Sequence, residues 1–413
     1  LQAEATSTES APLPQRALAP WIFIALGSIA RVIWPHDFEW KYDEKWMFDA
    51  VQRIARGEAP WPWIGMPSGA GVQNPGASIW PFVALAHVTH DPATMTFIIM
   101  LLNVCALWGF AFWVQRTWPS RDRELGVWGV ALFAVSPLPV LFSRKIWAQD
   151  VLPVLVVPWL WGHTTRKHFA GACAWGAFGA LLGQVHMSGF FAAAALVLAT
   201  VIADRKGTHW VGWFVGSAIA ALPLLPWIQF LMSPQANRGS TEHSLSLVFF
   251  SDAFLNCWGL HLRYSLGKHF VPYLKGPRLF GFPTLLAAGA HVLLAGLALT
   301  GGWLAIRNWR TLPMPAVLRV HAMALVLCGI AMHAVGVVVY PHYLIVFSPI
   351  VHVLAVWSLA PRPRLWCVAC GLQLFVTATF LSFIHLNGGA PRGDYGVAYS
   401  AQTPAQRTFE GTK

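Results

Sequence analysis

The feature that most constrains this chain is the repeated return of apolar runs about 18–25 residues long. Wound as an α-helix, such a run is ~30 Å long, the thickness of a bilayer's hydrocarbon core. Runs fall at 17–35, 93–115, 125–142, 151–162, 169–184, 186–203, 209–231, 282–306, 316–339, 343–358 and 364–385. They predict an all-α polytopic membrane protein with about 11 transmembrane helices. The run 151–162 is short and needs its neighbours to cross. ASIWPFVALAHVTH (77–90) is shorter still and contains Pro81, which suits a re-entrant or interfacial helix. A 56% hydrophobic share and a mean hydropathy of +0.52 agree with a membrane chain.

The net charge of +11 raises nucleic acid as a partner, but no basic face interleaved with aromatics exists to hold it. The cations sit instead in short turns. With 77–90 not crossing, five turns on one side carry Arg116, Arg121, Arg123, Arg166, Lys167, Arg205, Lys206, Arg307, Arg310, Arg319, Arg362 and Arg364. The positive-inside rule makes that side cytoplasmic, together with residues 1–16, a polar stretch without a signal-peptide pattern that reads as disordered. Within the membrane-embedded domain 17–385, the other side receives the first external loop 36–92, with its juxtamembrane helices. It also receives the turn 143–150, the junction Gln184–His186, the loop 232–281, the PHY turn and the tail 386–413. Many of the 23 Trp lie at span ends as interfacial anchors. Five of six Cys lie inside apolar runs, so no disulfide framework is expected.

The external stretch HDFEWKYDEKWMFDAVQR (36–53) holds five of the chain's 17 acids. From Glu44 onward it has helical period, with Met47, Ala50, Val51 and Ile54 on one face and Lys45, Asp49, Gln52, Arg53 and Arg56 on the other. This predicts an amphipathic helix in the membrane surface, with Asp43 at its N-cap. Capping accounts for one acid and leaves Asp37, Glu39 and Glu44 unexplained. Carboxylates at the water–lipid boundary beside cations suit a reaction between a lipid-borne phosphate and a polar acceptor.

A first span followed by an external Asp-Glu at the head of a juxtamembrane helix resembles the GT-C superfamily of integral-membrane glycosyltransferases. That superfamily includes the protein O-mannosyltransferases and the lipid A aminoarabinose transferases. The resemblance continues in order through YDEKWMFDAVQRIARGE, QNPGASIWPF, SPLPVLFSRKIWAQD and QVHMSG to the long loop and a GDYG-containing segment. It implies a polyprenyl-phosphate-linked sugar donor, and it matches Asp43 to the family's catalytic carboxylate and Asp150 to its second-loop acid. Some relatives have an acid before the Pro-led segment; here Gln73 and Asn74 precede Pro75, so a metal between the two loops would lack that ligand.

The implied reaction moves a single sugar to an acceptor hydroxyl with inversion. It needs a base near the hydroxyl and cations near the departing phosphate. Asp43 is assigned as base, with Glu44 or Asp150 orienting the acceptor or sharing its proton. Lys45, Arg144, Lys145, Arg263, Lys268 and His342 are candidates for the phosphate. Arg144 is favoured for its bidentate geometry, although any of them can equally be a snorkelling interfacial cation. His186, Gln184 and Tyr343 are candidates for sugar or acceptor. No cofactor is required, and a divalent cation, if one takes part, falls to Asp43 and Asp150. The segment 244–270 reads as a second amphipathic surface helix that could cover the prenyl chain.

Two other readings stand beside this one. A transporter or flippase of lipid-linked glycans calls for ionisable residues deep in spans, yet Arg31 is the clearest of these and no internal repeat is visible. An O-antigen-ligase-like transferase of whole glycans calls for several external arginines. The partners expected are the lipid-linked donor, an extracytoplasmic glycan, lipid or protein acceptor, and membrane lipid. A bacterial inner membrane is the expected location.

Overall fold

The computed structural model describes residues 18–67, 72–234, 236, 247–308 and 310–409. The expected disordered segment 1–16 lies outside them, as do residues 237–246 of the long loop. The helices are α1 (Ala19–Val32), α2 (Tyr42–Ala55), α3 (Trp80–Ala86), α4 (Pro92–Thr117), α5 (Ser120–Val135), α6 (Pro137–Leu141), α7 (Leu152–Thr164), α8 (Phe169–Val185) and α9 (Ser188–Asp204). They continue with α10 (Trp210–Ala221), α11 (Leu225–Met232), α12 (Val248–Cys257), α13 (Leu262–Leu266), α14 (Phe270–Leu274), α15 (Leu286–Arg307), α16 (Ala316–Val335), α17 (Ser348–Ser358), α18 (Arg364–Asn387) and α19 (Pro404–Arg407). Among the described residues, strands occur only as short hairpins.

This is a multi-pass membrane protein. Among the described residues, seven helical segments are long and apolar enough to cross a bilayer, fewer than the eleven expected. The difference has a local cause. The first expected span and 169–184 are helical but short, as α1 and α8. The runs 125–142 and 151–162 are cut by proline: α5 stops at Val135 before Pro137 and Pro139, and α7 begins only after a turn at Ala148–Val151. Proline lacks the N–H that would continue the helical ladder.

That break frees carbonyls inside the bundle, and side chains from other helices bond them. Arg31 donates to the carbonyls of Gly27 and Ala134 at 2.9 and 2.6 Å, and Thr377 donates to Val135 at 2.6 Å. The charge within the first span therefore seals a helix break. Gly27 lets α1 come this close, since a Cβ there would sit 2.4 Å from the Ala134 oxygen.

The expected helix after the acidic stretch is present as α2, with two corrections. Its N-cap is Lys41, whose backbone N–H donates to Glu44 Oε2 at 2.9 Å, so Glu44 is the capping acid and Asp43 is not the cap. Gln52, expected on the polar face, is buried and donates to the Thr89 carbonyl because α2 packs on α3. The helix expected over 244–270 is likewise divided into α12, α13 and α14, with Gly259 at φ +69° making the first break.

The tail is not a free appendage. Gly388, left-handed at φ 64°, ends α18, and a hairpin (Gly389–Ala390 with Gly396–Val397) sends the chain back over the acidic stretch. Tyr399 and Ser400 donate backbone N–H groups to the carbonyls of Phe38 and His36. His385 meets Asp37 at 2.6 Å, Tyr399 stacks on Phe38, and the Trp40 indole donates to Arg407 O. Residues 385–409 thus form a clamp on residues 36–45.

Candidate functional site

The sharp turn between α6 and α7 points residues 144 and 145 in different directions. Arg144 turns back onto the end of α1, where helical carbonyls lack partners. Its guanidinium donates to the carbonyls of Ala30, Arg31, Ile33, Trp34 and Asp37 at 2.8–3.3 Å. Its donors are therefore engaged in capping a helix, and the phosphate role foreseen for it is withdrawn.

Lys145 turns toward the acids. Its ammonium lies 2.9 Å from Glu39 Oε2, 3.9 Å from Glu44 Oε1 and 4.2 Å from the centre of the Trp147 ring. Glu39 also meets Lys41 at 3.0 Å, and Lys41 meets Asp394 of the clamp at 3.3 Å. Beneath this cluster Asp150 is fully buried. Its Oδ2 accepts the Lys145 backbone N–H at 3.1 Å, and its carbonyl accepts from Asn103. The arrangement is a ladder of alternating charge, buried at Glu39, Glu44 and Lys145 and open to solvent at Lys41 and Asp394, held by α2, the 143–150 turn and the clamp.

A cavity of about 220 Å³ opens over the ladder. Of the expected residues it gathers Asp43, Glu44, Lys145, His186, His342 and Tyr343, and it adds Lys41, Asn74, Trp147, Tyr264, Tyr340 and Asp394. His342 packs edge-on against Trp147 at 4.5 Å, and its Nδ1 has no partner. His186 holds Ser188 Oγ at 2.7 Å and faces the Tyr343 ring at 5.0 Å.

The remaining expectations fall outside the cavity. Asp150 lies below it. Gln184 is buried and bonds the carbonyls of Ala180 and Ala220. Lys45 reaches the Gln406 carbonyl on the outer surface, and Arg263 and Lys268 are exposed. Asp43 and Asp150 do not share the cavity as a ligand pair. Among the described residues, no three His, Cys, Asp or Glu side chains are grouped as a metal site.

Asp43 differs from its neighbours. Glu39, Glu44, Asp150, Asp37 and Asp394 each hold a partner, whereas the Asp43 carboxylate has no hydrogen bond or ion pair among the described residues. Burial pushes its pKa up, opposed by the charges of Lys145 and Lys41. Burial also raises Glu44 against Lys145, and raises Asp150 well above the usual carboxylate range. Burial would raise Glu39 too, but Lys145 and Lys41 together outweigh it and its pKa falls. Lys145 is buried yet rises, because Glu39 and Glu44 favour its charged form. Burial lowers His186 to about 3, so it is a neutral ring.

Glu39, Lys41 and Asp394 belong to this charge cluster but are not among the residues assigned from the sequence. The first two stand inside the acidic stretch and the third inside GDYG. Their signal was present as charge, but without the pairing.

No family model matches the chain, and no curated protein sequence matches it either. Solved structures do. ArnT from Cupriavidus metallidurans in the apo state matches with a TM-score of 0.53 and 15% identity over 89% of this chain and 63% of that one. The same protein bound to undecaprenyl phosphate matches at 0.51 and 14%, over 90% and 64%. The Archaeoglobus fulgidus oligosaccharyltransferase tethered with an acceptor peptide gives 0.49 and 14%, over 96% and 55%. The chain thus spans under two thirds of the length of the ArnT chain. The likeness to ArnT shows a shared fold.

Proposed function

We propose that this protein is a glycosyltransferase that moves one sugar from a polyprenyl-phosphate donor to an acceptor hydroxyl outside the cytoplasm. The observation that carries the reading is the unpaired Asp43 carboxylate, facing a small polar cavity beside two lysines. ArnT's binding of undecaprenyl phosphate, on a similar fold, agrees with such a donor.

In a single displacement the acceptor oxygen bonds to the anomeric carbon as the carbon–phosphate-oxygen bond breaks. Asp43 takes the hydroxyl proton, and the phosphate leaves with the electron pair. The result is inversion. A raised pKa makes Asp43 a better base than an N-capped Asp would be. Lys145 and Lys41 supply positive charge where the phosphate oxygen becomes anionic, and His342 supplies a free ring nitrogen. Glu39 holds both lysines in place. Asp150 acts one layer below, by fixing the backbone of Lys145.

The donor's hydrocarbon chain needs an apolar bed. A groove of about 720 Å³ lies between residues 269–278 and the outer half of α18, with Tyr273, Phe375 and Phe383 in its walls. The loop that gives Tyr264 to the cavity also builds this groove, which supports a covering role for it.

The test supplies membranes containing Asp43→Asn with radiolabelled polyprenyl-phosphate sugar. The expected result is loss of the new glycosidic bond with donor binding retained. Full transfer would overturn the base assignment. Movement of labelled lipid across vesicles without any glycosidic product would replace the enzyme by a flippase.

A further inference from the structure

A second polar cavity, of about 450 Å³, lies at the opposite end of the bundle. α7 and α9 run from the first site toward it, and α9 alone is ~25 Å long. The ends of α4, α7 and α9 and the start of α16 enclose this second cavity, lined by Thr117, His163, Thr164, Arg166, Asp204 and Arg319 among others.

Four features there concern a ligand. Arg166 binds Asp204 at 2.7 Å, which neutralises one charge, and Arg319 adds an exposed positive one. α16 opens at the cavity with Pro315 as N-cap and no side-chain cap, so the first amides of a 20-residue helix face an anion's preferred position. His163, 2% exposed, lines the cavity, and its Nδ1 has no partner. The cavity end is the basic end of the bundle, with Arg205 and Lys206 directly after α9.

The hydrogen-bond pattern defines what His163 can hold. Thr200 Oγ1 donates to the Leu196 carbonyl at 2.7 Å, so it accepts from His163 Nε2 at 2.9 Å. Nε2 therefore carries the proton, and Nδ1 of the neutral ring is an acceptor without a donor. Behind it, His321 uses Nδ1 to donate to Val317 O, which leaves its own Nε2 as a second acceptor without a donor. The two rings are 4.9 Å apart. A bare anion satisfies Arg319 and the helix start but not these nitrogens. A ligand that carries hydroxyl groups next to its phosphate satisfies both.

We propose that this cavity binds a polyol phosphate headgroup, its phosphate on Arg319 and the start of α16, and a hydroxyl donating to His163 Nδ1. The headgroup can belong to a lipid of the adjoining leaflet or to a free polyol phosphate. The site is independent of the transfer reaction, since it shares no residue with the first cavity.

The experiment measures melting temperature and native mass spectra of the whole protein in nanodiscs. One arm contains phosphatidylglycerol, one phosphatidylmethanol (the same charge without hydroxyls) and one phosphatidylcholine. A fourth arm adds glycerol 3-phosphate to phosphatidylcholine discs. Saturable retention of phosphatidylglycerol above both other lipids supports the proposal with a lipid source, and a rise in melting temperature with glycerol 3-phosphate alone supports it with a free one. Arg319→Ala, at an exposed position, is expected to weaken that binding about tenfold, with transfer activity unchanged. His163→Gln is expected to narrow the preference for phosphatidylglycerol over phosphatidylmethanol. Equal retention of all three lipids with no response to glycerol 3-phosphate, or Arg319→Ala binding as the parent does, would overturn the proposal.

Discussion

The two ends of this bundle use charge in opposite ways. At the first site nearly every acid and base is paired, most of them buried, and a single carboxylate, Asp43, is left unpaired among the described residues. At the basic end the cations stand mostly in exposed turns, and the unpaired groups are ring nitrogens. Pairing at the first end holds groups at fixed positions in a low-dielectric setting, which is what a reaction needs. Openness at the second suits reversible contact with a charged surface. The lesson concerns reading charge: what matters is how many charges remain unsatisfied and where they are aimed.

The sharpest break of that contrast is Asp43→Asn, which leaves the ladder intact and removes its one unpaired acid. Transfer is expected to fall about 10²–10⁴-fold with the melting temperature unchanged, measured by labelled-sugar transfer on purified protein. Lys145→Ala attacks the pairing itself. It leaves buried Glu39 with Lys41 alone and Glu44 with only its backbone cap, and is expected to cost about 1–3 kcal/mol of stability, read by denaturant unfolding in detergent.

Arg144→Ala removes the guanidinium from five carbonyls between Ala30 and Asp37, of which Trp34 and Asp37 keep another donor. A loss of about 1–3 kcal/mol is expected, with transfer per folded molecule preserved. If activity vanished while stability held, the phosphate role would return.

The pH dependence refines the same picture. Asp43 acts as a base only when deprotonated and its pKa is raised, so kcat/KM is expected to fall as pH drops through a value above ~4. Lys41→Met removes a charge that lowers that pKa, so the limb moves further up. Glu39 has the opposite sign. Its lowered folded pKa gives a stabilising contribution that is complete above ~4.3 and lost as pH falls through the lower folded value. The smallest effect belongs to Lys45→Ala, where an exposed contact to the Gln406 carbonyl is lost. Both stability, within ~0.5 kcal/mol, and transfer are expected to stay put.

Much of this was legible because membrane helices and amphipathic faces are local patterns. Hydropathy located the helices, and period located α2 to within a few residues. Seven of the eleven expected spans are single long helical segments among the described residues; the helices in the runs at 125–142 and 151–162 are shorter than expected because hydropathy does not register where Pro137 breaks a ladder. Asp43, Lys145, His186, His342 and Tyr343 could be picked because external polar residues in a membrane chain are few. Arg144 and Lys145 could not be told apart, since adjacent residues in one tight turn face different ways and only the position of the α1 carbonyls decides which way. The pairing of Lys41 with Asp394 spans 353 residues and has no local trace.

That clamp has a consequence for how the protein is made. A ribosome that has released residues 36–150 has already delivered the ladder of acids and lysines, but the hairpin that walls it comes only after α18. During the interval the nascent chain sits in the membrane with its charged cluster open to water on one side. The cavity is therefore complete only once the last helix is seated, and a protease cut just beyond Gly388 would return a folded molecule to that immature condition.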